Sequence, residues 1–238
     1  MCVIFVAHRA HPKHPLLVLA NRDEFYDRPT AAAAYWKDHP EIYAGRDLVS
    51  GGTWLGVANK GRFAAVTNYR EPASPRGVRS RGELVADFLR SDIDAETYLQ
   101  SVATKADEYS GFNLLVGIAN RELLYFSNRD NEIRRLGPGI YGLSNHLLNS
   151  DWPKVTNGLA RFQTLVDGET ISKTDCFELL ADETLAADGD LPDTGVGVER
   201  ERLLSPIFIR TPIYGTRSST VLLVDNANNF DFNERVFV

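Results

Sequence analysis

The chain has 238 residues, of which 43% are hydrophobic and 24% charged, an ordinary composition for a globular protein with a sizeable core. Its formal charge of -6 and isoelectric point near 5.4 argue against a nucleic-acid-binding protein, which would usually carry a basic excess. No apolar stretch is long enough to span a bilayer, and we expect no signal peptide at the N-terminus. Two cysteines give no disulfide framework, so a reducing, cytoplasmic setting is expected.

Strands and helices are predicted to alternate in blocks along the chain. Short runs rich in Val, Ile and Phe predict three blocks of strands, and apolar residues at helical spacing predict two helices in each interval between them. In chain order we predict strands at 3–7, 16–20, 53–58 and 63–68, helices at 82–90 and 94–109, strands at 112–118, 123–128 and 133–143, helices at 153–166 and 176–185, and strands at 219–225 and 230–238. No linker or repeat interrupts this order, which favours one α+β domain over residues 1–238.

Cys2 stands directly after Met1 and is the first candidate for chemistry. Removal of Met1 would leave a free α-amine beside a thiol of similar pKa, so one group could act as the base for the other. A nucleophile and its base would then lie in a single residue. The alternative is a small buried residue that opens a strand, and this residue alone favours neither interpretation.

Four polar residues, Asn21-Arg22-Asp23-Glu24, follow the second predicted strand. At a strand end they could place a guanidinium group and carboxylates around the start of the first strand. Arg22 would then lower the pKa of a thiol or bind a substrate carboxylate, and Asp23 or Glu24 would hold the amine. A solvated charge pair at a strand end is the alternative interpretation.

Met-Cys at the start and Asn-Arg-Asp-Glu-Phe after an apolar strand belong to a set of segments that extends over nearly the whole chain. The other members are Gly-Gly-Thr-Trp-Leu-Gly at 51–56, Ala-Val-Thr-Asn-Tyr at 65–69, Ser-Arg-Gly at 80–82, Gly-Leu-Ser-Asn at 142–145, Trp-Pro-Lys at 152–154 and Tyr-Gly-Thr-Arg-Ser-Ser-Thr at 214–220. Together they resemble the NRDE family of Transport and Golgi organisation 2-like proteins. The resemblance implies the four-layer αββα sandwich of N-terminal-nucleophile hydrolases.

A more distant resemblance connects the chain to the cysteine acylases of bile salts and penicillin V. In those enzymes a hairpin ends in an Asn whose backbone N–H helps to form the oxyanion hole, and a second Asn follows the central strands. Asn68 and Asn145 are similar in placement, although turn-capping is the alternative for each. Where this chain has Asn-Arg-Asp-Glu at 21–24, the acylases carry Arg-Asn-x-Asp. Aligning the ends of the two motifs places Asn21 at the position of their Arg and Glu24 at the position of their Asp.

Several arginines are candidates for binding an anion. Arg70, Arg76, Arg79 and Arg81 lie in one loop before a predicted helix, where a phosphate or carboxylate would bind well, but a solvated basic loop fits equally. Arg217, between a glycine turn and a strand, is a further candidate. We therefore predict a small ligand or substrate with an anionic group, bound by Arg81 and Arg217. The family resemblance implies haem or acyl-CoA as such a ligand.

His8, His11 and His14 recur every three residues, a spacing that could suggest metal or haem ligation. Pro12 and Pro15 break any helix that would align them, and no Cys or acidic partner completes a set. We therefore expect an exposed loop between two strands, and we predict neither a metal site nor a cofactor.

Two functions fit these features. The first is an N-terminal-nucleophile hydrolase or acyltransferase acting on an amide or thioester. Its predicted catalytic residues are Cys2, Arg22, Asp23, Glu24, Asn68 and Asn145. The second is a non-catalytic carrier of an anionic apolar ligand, because the resembled family is linked to secretory organisation, haem trafficking and acyl-CoA metabolism. A scaffold for protein partners is the third possibility. The sequence shows no exposed apolar helix or charge tract that would support it, so this function ranks last.

Overall fold

The computed structural model of the protein describes residues 2–72 and 77–238. Two antiparallel sheets stack face to face, and a pair of helices covers the outer surface of each sheet. The layers therefore follow the order helix, sheet, sheet, helix, and the predicted αββα sandwich is confirmed. One apolar cluster fills the space between the sheets, and another lies under each helix pair.

One sheet has five strands. In spatial order they are β10 (Gly139–Leu143), β1 (Cys2–His8), β2 (Leu16–Phe25), β11 (Tyr214–Val224) and β12 (Phe230–Val236). The helices that cover this sheet are α3 (Pro153–Val166) and α4 (Lys173–Leu180). Along β1, Val3 and Phe5 face these helices, whereas Ile4 and Val6 face the other sheet. Burial on both faces explains why β1 is an uninterrupted apolar run.

The other sheet has seven strands that follow one another in chain order. They are β3 (Thr30–Tyr35), β4 (Ile42–Asp47), β5 (Leu55–Ala58), β6 (Arg62–Asn68), β7 (Phe112–Ile118), β8 (Glu122–Ser127) and β9 (Ile133–Leu136). Helices α1 (Arg81–Arg90) and α2 (Ala95–Ala103) cover this sheet. The short helix α5 (Val198–Leu203) follows α4 and precedes β11 in the sequence. Short 3-10 turns occur at Asn59–Gly61, Ala106–Glu108 and Asp188–Asp190. Within the described ranges, no helix combines the length and apolar character that a bilayer span requires.

Several predicted boundaries were wrong. β3 and β4 were not predicted, because β3 reads Thr-Ala-Ala-Ala-Ala-Tyr and alanine has a low strand propensity; pairing with β4 at the sheet edge makes it a strand. The block predicted at 133–143 forms β9 and β10, which belong to different sheets. β2 continues to Phe25, so the Asn-Arg-Asp-Glu segment lies inside a strand and not beyond its end. The helix predicted at 94–109 ends at Ala103, and α5 was not predicted.

The loop expected between the first two strands is present and largely exposed, but two of the three histidines are buried. His8 is buried within β1, and His11 is buried with its Nε2 atom 3.3 Å from the carbonyl oxygen of Gly168. The rings of His11 and His14 stack at 5.1 Å between centroids. No group of three or more His, Cys, Asp or Glu side chains able to hold a metal ion occurs among the described residues.

Helix α3 approaches β1 closely at Gly158. A Cβ atom at this position would lie 2.1 Å from the ring of Phe5, which is fully buried and in contact with Phe162 at 6.0 Å between ring centroids. Glycine therefore permits the close contact between this helix and the strand that begins with Cys2.

We expect Gly158→Ala to lower the free energy of unfolding by about 1–2 kcal/mol, because overpacking against Phe5 outweighs the gain in helix propensity. Gly189→Ala is the matched control, since a Cβ atom there meets nothing within 4 Å. Urea denaturation of both variants measures the difference. An unchanged midpoint for Gly158→Ala would contradict this account, and adding Phe5→Leu should recover part of the loss.

Candidate active site

Cys2 is the first residue of a row of side chains that crosses the five-stranded sheet. It pairs with Arg22 on β2, Arg22 pairs with Ser218 on β11, and Ser218 pairs with Val236 on β12. Paired residues in an antiparallel sheet project on the same face. This face also carries Ile4, so the whole row points toward the space between the two sheets. The register therefore brings a thiol and a guanidinium group together.

The Cys2 thiol lies in an environment that favours its protonated form. Cys2 is free and half-buried, and burial raises the pKa of the thiol above its ordinary value of 9.0. A hydrogen bond from the backbone N–H of Asp23 and the positive charge of Arg22 act in the opposite direction without reversing the shift. A thiol held in this way needs a base before it can attack a carbonyl.

Arg22 is only 5% exposed, and its guanidinium group lies over the ring of Trp54 at 4.2 Å from the centroid. Its Nη2 atom is 4.0 Å from Oδ2 of Asp47, which also accepts a 2.7 Å hydrogen bond from Nε of Arg28. Within the described part of the chain, the buried Nη1 atom of Arg22 has no hydrogen-bond partner. The side chain is thus held by stacking and charge while one of its donors remains available.

Asp23 projects on the opposite face of β2 from Arg22. Its buried carboxylate accepts a 2.7 Å hydrogen bond from Oγ1 of Thr216, and its backbone oxygen accepts one of 3.2 Å from the hydroxyl of Tyr214. Burial raises the pKa of Asp23, and the positive charge of Lys154 opposes this. Asp23 is therefore the buried carboxylate at the start of β1.

Glu24 and Asn21 occupy different environments from Asp23. The half-buried Glu24 carboxylate accepts a 2.9 Å hydrogen bond from the backbone N–H of Phe25. The buried Asn21 amide donates to the carbonyl oxygens of Leu180 and Ile207 at 2.8 and 2.9 Å. Asn21 thus links β2 to the end of α4, and of the two acidic residues Asp23 is the one that hydrogen-bonds toward Cys2 through its own backbone.

Asn145 and Asn68, which we predicted as oxyanion residues, are in direct contact. The Nδ2 atom of Asn145 donates to the backbone oxygen of Asn68 at 3.0 Å. The hydroxyl of the preceding residue, Ser144, donates to the backbone oxygen of Cys2 at 3.2 Å. The backbone oxygen of Ser144 accepts a 2.6 Å hydrogen bond from the hydroxyl of Thr67. Ser144 thereby connects the first strand of one sheet to β6 of the other.

The backbone N–H of Asn68 points beyond the start of β5. The N–H of Tyr69 donates to Gly111 on the β7 side, whereas the N–H of Val66 donates to Trp54 on the β5 side. Since N–H groups alternate along a strand, that of Asn68 points to the same side as that of Val66. β5 begins only at Leu55, which pairs with Ala65. The N–H of Asn68 is thus directed past the end of its neighbouring strand, as an oxyanion donor requires.

Further polar residues that we did not predict hold this region together. The amide of Asn113 donates to the hydroxyl of Thr67 at 3.1 Å and to the carbonyl of His146 at 3.0 Å, and it accepts from the hydroxyl of Tyr125 at 2.8 Å. This buried network fixes the segment that follows Ser144. Nothing in the local sequence separates a buried Asn on a strand from a turn residue, so the network was not predictable.

Lys154 was likewise not predicted, although it belongs to the Trp-Pro-Lys segment. It lies in the first turn of α3, is 5% exposed, and donates from Nζ to the carbonyl of Pro206 at 3.3 Å. Burial lowers its pKa from 10.5 to about 8, while the charge of Asp23 opposes the decrease. Beside it, Arg70 forms a buried ion pair with Glu201 and lies 4.6 Å from the centroid of the Trp152 ring.

The arginines of the predicted basic loop do not converge. Arg70 is engaged by Glu201, Arg79 pairs with two glutamates at 3.2 and 3.3 Å, and Arg76 lies outside the described residues. Arg81 is half-buried at the start of α1 and donates to the carbonyl of Gly111 at 3.0 Å. Burial lowers the pKa of Arg81, and a thiolate at Cys2 would oppose this decrease.

Arg217 lies farther along the same sheet. Its guanidinium nitrogens donate to the backbone carbonyls of Phe25 at 2.9 Å, Arg28 at 2.7 Å and Val238 at 3.1 Å. These bonds join β11 to the segment after β2. The donors of Arg217 are thus largely used within the fold.

The comparisons with known proteins identify the family of the chain. The model of the family described as Transport and Golgi organisation 2 matches residues 1–238. The chain is 38% identical to the Transport and Golgi organization protein 2 homolog of Bos taurus, over 99% of this chain and 92% of the relative. The predicted family resemblance is therefore confirmed.

Solved structures of an amidase and an acylase share the fold. The Caenorhabditis elegans ortholog of N-acylethanolamine-hydrolyzing acid amidase superposes with a TM-score of 0.54 at 12% identity, covering 100% of both chains. Penicillin V acylase from Agrobacterium tumefaciens gives 0.51 at 11% identity, covering 98% of this chain and 82% of the acylase. The fold is thus the N-terminal-nucleophile hydrolase type, as the sequence predicts.

The buried Lys154 makes a pH-dependent contribution to stability. Because its pKa falls from 10.5 to about 8 on folding, the unfolded chain binds more protons between these values, and stability contributed by this residue rises with pH across the window. We expect the stability of Lys154→Met relative to wild type to fall by about 3 kcal/mol from pH 8 to pH 10.5.

Chemical denaturation at the two pH values measures this difference. Lys37→Met, which removes an exposed lysine, is the control and should show an equal effect at both. A difference between Lys154→Met and wild type that does not change with pH would show that Lys154 is not desolvated.

Proposed function

The chain belongs to the Transport and Golgi organisation 2 family, and we propose that it is a cysteine-dependent N-terminal-nucleophile hydrolase or acyltransferase of an amide or thioester. One observation carries the proposal. The Cys2 thiol lies next to Arg22, while Ser144 ties the Cys2 backbone to the segment that contains Asn145. A nucleophile and a cation therefore lie together at one end of the inter-sheet space, and the Asp23 carboxylate lies on the helix side of the same strand as the cation.

In the proposed reaction, removal of Met1 frees the α-amine of Cys2, which takes the thiol proton as the sulfur attacks the substrate carbonyl. The N–H of Asn68 donates to the resulting oxyanion. The tetrahedral intermediate then expels an amine or thiol, which receives the proton from the α-ammonium group. Water or a second acceptor attacks the acyl-thioester, releases the acyl product and restores the thiol.

The raised pKa of the thiol supports this division of roles. A thiol that is protonated near neutral pH reacts slowly by itself, so an adjacent base accelerates the attack. The freed amine would lie on the residue that bears the thiol, and no second side chain has to be brought into position.

Asp23 is the proposed anchor of the amine. It occupies the strand position after Arg22, which is the residue paired with Cys2. Hydrogen bonds from Thr216 and Tyr214 fix its side chain and backbone, and Lys154 supplies a nearby positive charge. These contacts immobilise the carboxylate and oppose the effect of burial, which raises its pKa, and a neighbouring ammonium group would favour the charged form further.

Asn145 is proposed to position the oxyanion donor. Its amide holds the backbone oxygen of Asn68, and its own carbonyl accepts the N–H of Arg70 at 2.8 Å. These two hydrogen bonds hold in place the residues next to the peptide group that bears the Asn68 N–H. Preorganised donors of this kind need no rearrangement when charge develops.

The carrier alternative makes no use of the Cys2 thiol. A small pocket lies beside Arg22, lined also by Trp54, Arg217 and Glu234. Its size does not favour enclosure of a whole haem or acyl-CoA molecule, and the hydrolase is the function that the site supports best.

Intact-mass spectrometry with a thiol-reactive acyl probe tests the proposal. We expect the wild type to lack Met1 and to gain one acyl group at Cys2, whereas Cys2→Ala gains none. Cys176→Ala removes the fully buried second cysteine and is the control that should still be acylated. If active protein keeps Met1, the free-amine mechanism is wrong. If Cys2 is unreactive and Cys2→Ala binds ligand as well as the wild type does, the result favours a carrier.

Asp23→Asn tests the anchor. The substitution keeps the shape of the side chain and the contact with Thr216 but removes the charge that would hold the ammonium group. We expect acylation of Cys2 to slow by about 100-fold, the lower end of the range for positioned acid–base groups, while the folded structure persists. Stopped-flow measurement of the probe reaction gives the rate, and an unchanged rate would exclude Asp23 from the mechanism.

A further inference from the structure

A small pocket lies along the row of side chains that begins with Cys2. Arg22, Ser218 and Val236 line it from the five-stranded sheet, and Trp54 with residues 30–32 line it from the other sheet. It lies between the layers, one strand away from the thiol at its nearest wall.

Two donors in this pocket are buried and unpaired. Arg22 is 5% exposed and Ser218 is 4% exposed. In the described ranges, Nη1 of Arg22 has no hydrogen-bond partner, and Oγ of Ser218 makes no hydrogen bond of ordinary geometry, although it lies close enough to the Glu234 carboxylate to favour its charged form. Buried polar groups in native proteins are almost always satisfied, by protein, water or a ligand. The two atoms belong to paired residues on adjacent strands, so one bound group can meet both.

The charges around the pocket favour an anion. Arg22 and Arg217 line it, and Glu234 is the acid that accompanies them. Glu234 accepts a 2.7 Å hydrogen bond from the N–H of Ala33, and burial raises its pKa while the charge of Arg22 opposes the increase. Asp47 lies 4.0 Å from Arg22, and backbone carbonyls engage Arg217. The group that favours an anion is therefore Nη1 of Arg22, which has no hydrogen-bond partner in the described ranges.

We propose that this pocket binds a carboxylate of the substrate whose carbonyl group is attacked by Cys2. One carboxylate oxygen accepts from Nη1 of Arg22 and the other from Oγ of Ser218. Adjacent strands are about 4.8 Å apart, so the carboxylate lies roughly 5–10 Å from the reacting carbonyl. This inference rests on the proposed function and adds the substrate class, namely acyl compounds with a carboxylate at that distance.

The size of the pocket agrees with this assignment. The pocket is small, so it accommodates no more than one end of a substrate. The rest of the molecule would extend along the row toward Cys2. Arg22 then contacts the substrate on one side and influences the thiol on the other.

Thioesters in matched pairs test the proposal. One pair, glutaryl and valeryl thioesters, differs by a carboxylate on the acyl group, and a second pair carries or lacks a carboxylate on the leaving thiol. We expect the wild type to prefer the carboxylate member of at least one pair by tenfold or more in kcat/KM. Ser218→Ala should reduce this preference severalfold, and Glu234→Gln should increase it because a negative charge is removed.

The control is Ser101→Ala, an exposed serine on α2, which should keep the wild-type preference. Turnover that depends on Cys2 but shows no preference in either pair would overturn the pocket assignment and leave the proposed function intact. If no thioester is turned over, calorimetric binding of the same compounds to Cys2→Ala protein decides the matter. Equal binding of charged and neutral members would mean that water alone fills the pocket.

Discussion

The candidate site depends on the register between β1 and β2, in which Cys2 pairs with Arg22. A slip of one residue would turn every side chain of β1 to the opposite face and direct the thiol toward the helices. Apolar residues on both faces of β1 resist such a slip, because each would have to exchange one packed layer for the other. The hydroxyl of Ser144 adds a specific contact by donating to the backbone oxygen of Cys2.

Charged groups are buried on both faces of the sheet near this point. Asp23 and Lys154 lie on the helix side, where burial disfavours the charged form of each and the opposite charge of the other partly restores it. Arg22 lies on the inter-sheet side between the thiol and the pocket. Buried charges seldom add to the stability of a fold, so their concentration beside one thiol is better explained by chemistry than by packing. A carboxylate bound to Arg22 would compete with the thiolate for the same cation, which makes a separate base more important.

Much of the fold was predictable because its signals are local. The apolar runs of β1 and β7, the turn at Asn59–Gly61 and the helical spacing of α3 each occupy fewer than twenty consecutive residues. A strand buried on both faces needs a continuous apolar run wherever it occurs in a sheet. Cys2, Asn68 and Asn145 were identified from their positions relative to such elements and from the family resemblance.

The remaining features depend on contacts between distant parts of the chain. β3 is a strand of alanines that only pairing with β4 makes extended, and His8 and His11 are buried by segments more than 120 residues away. Thr216, which hydrogen-bonds Asp23 across 193 positions, gives no local sign of that role. The sequence pattern indicates which residues prefer burial. It therefore predicted most of the strands and helices, and it placed the nucleophile candidate at the start of the first strand. Which buried polar groups meet is settled by the pairing of strands and the packing of layers. The contacts of Thr216, Lys154 and Asn113 around the site were therefore found only in the folded chain.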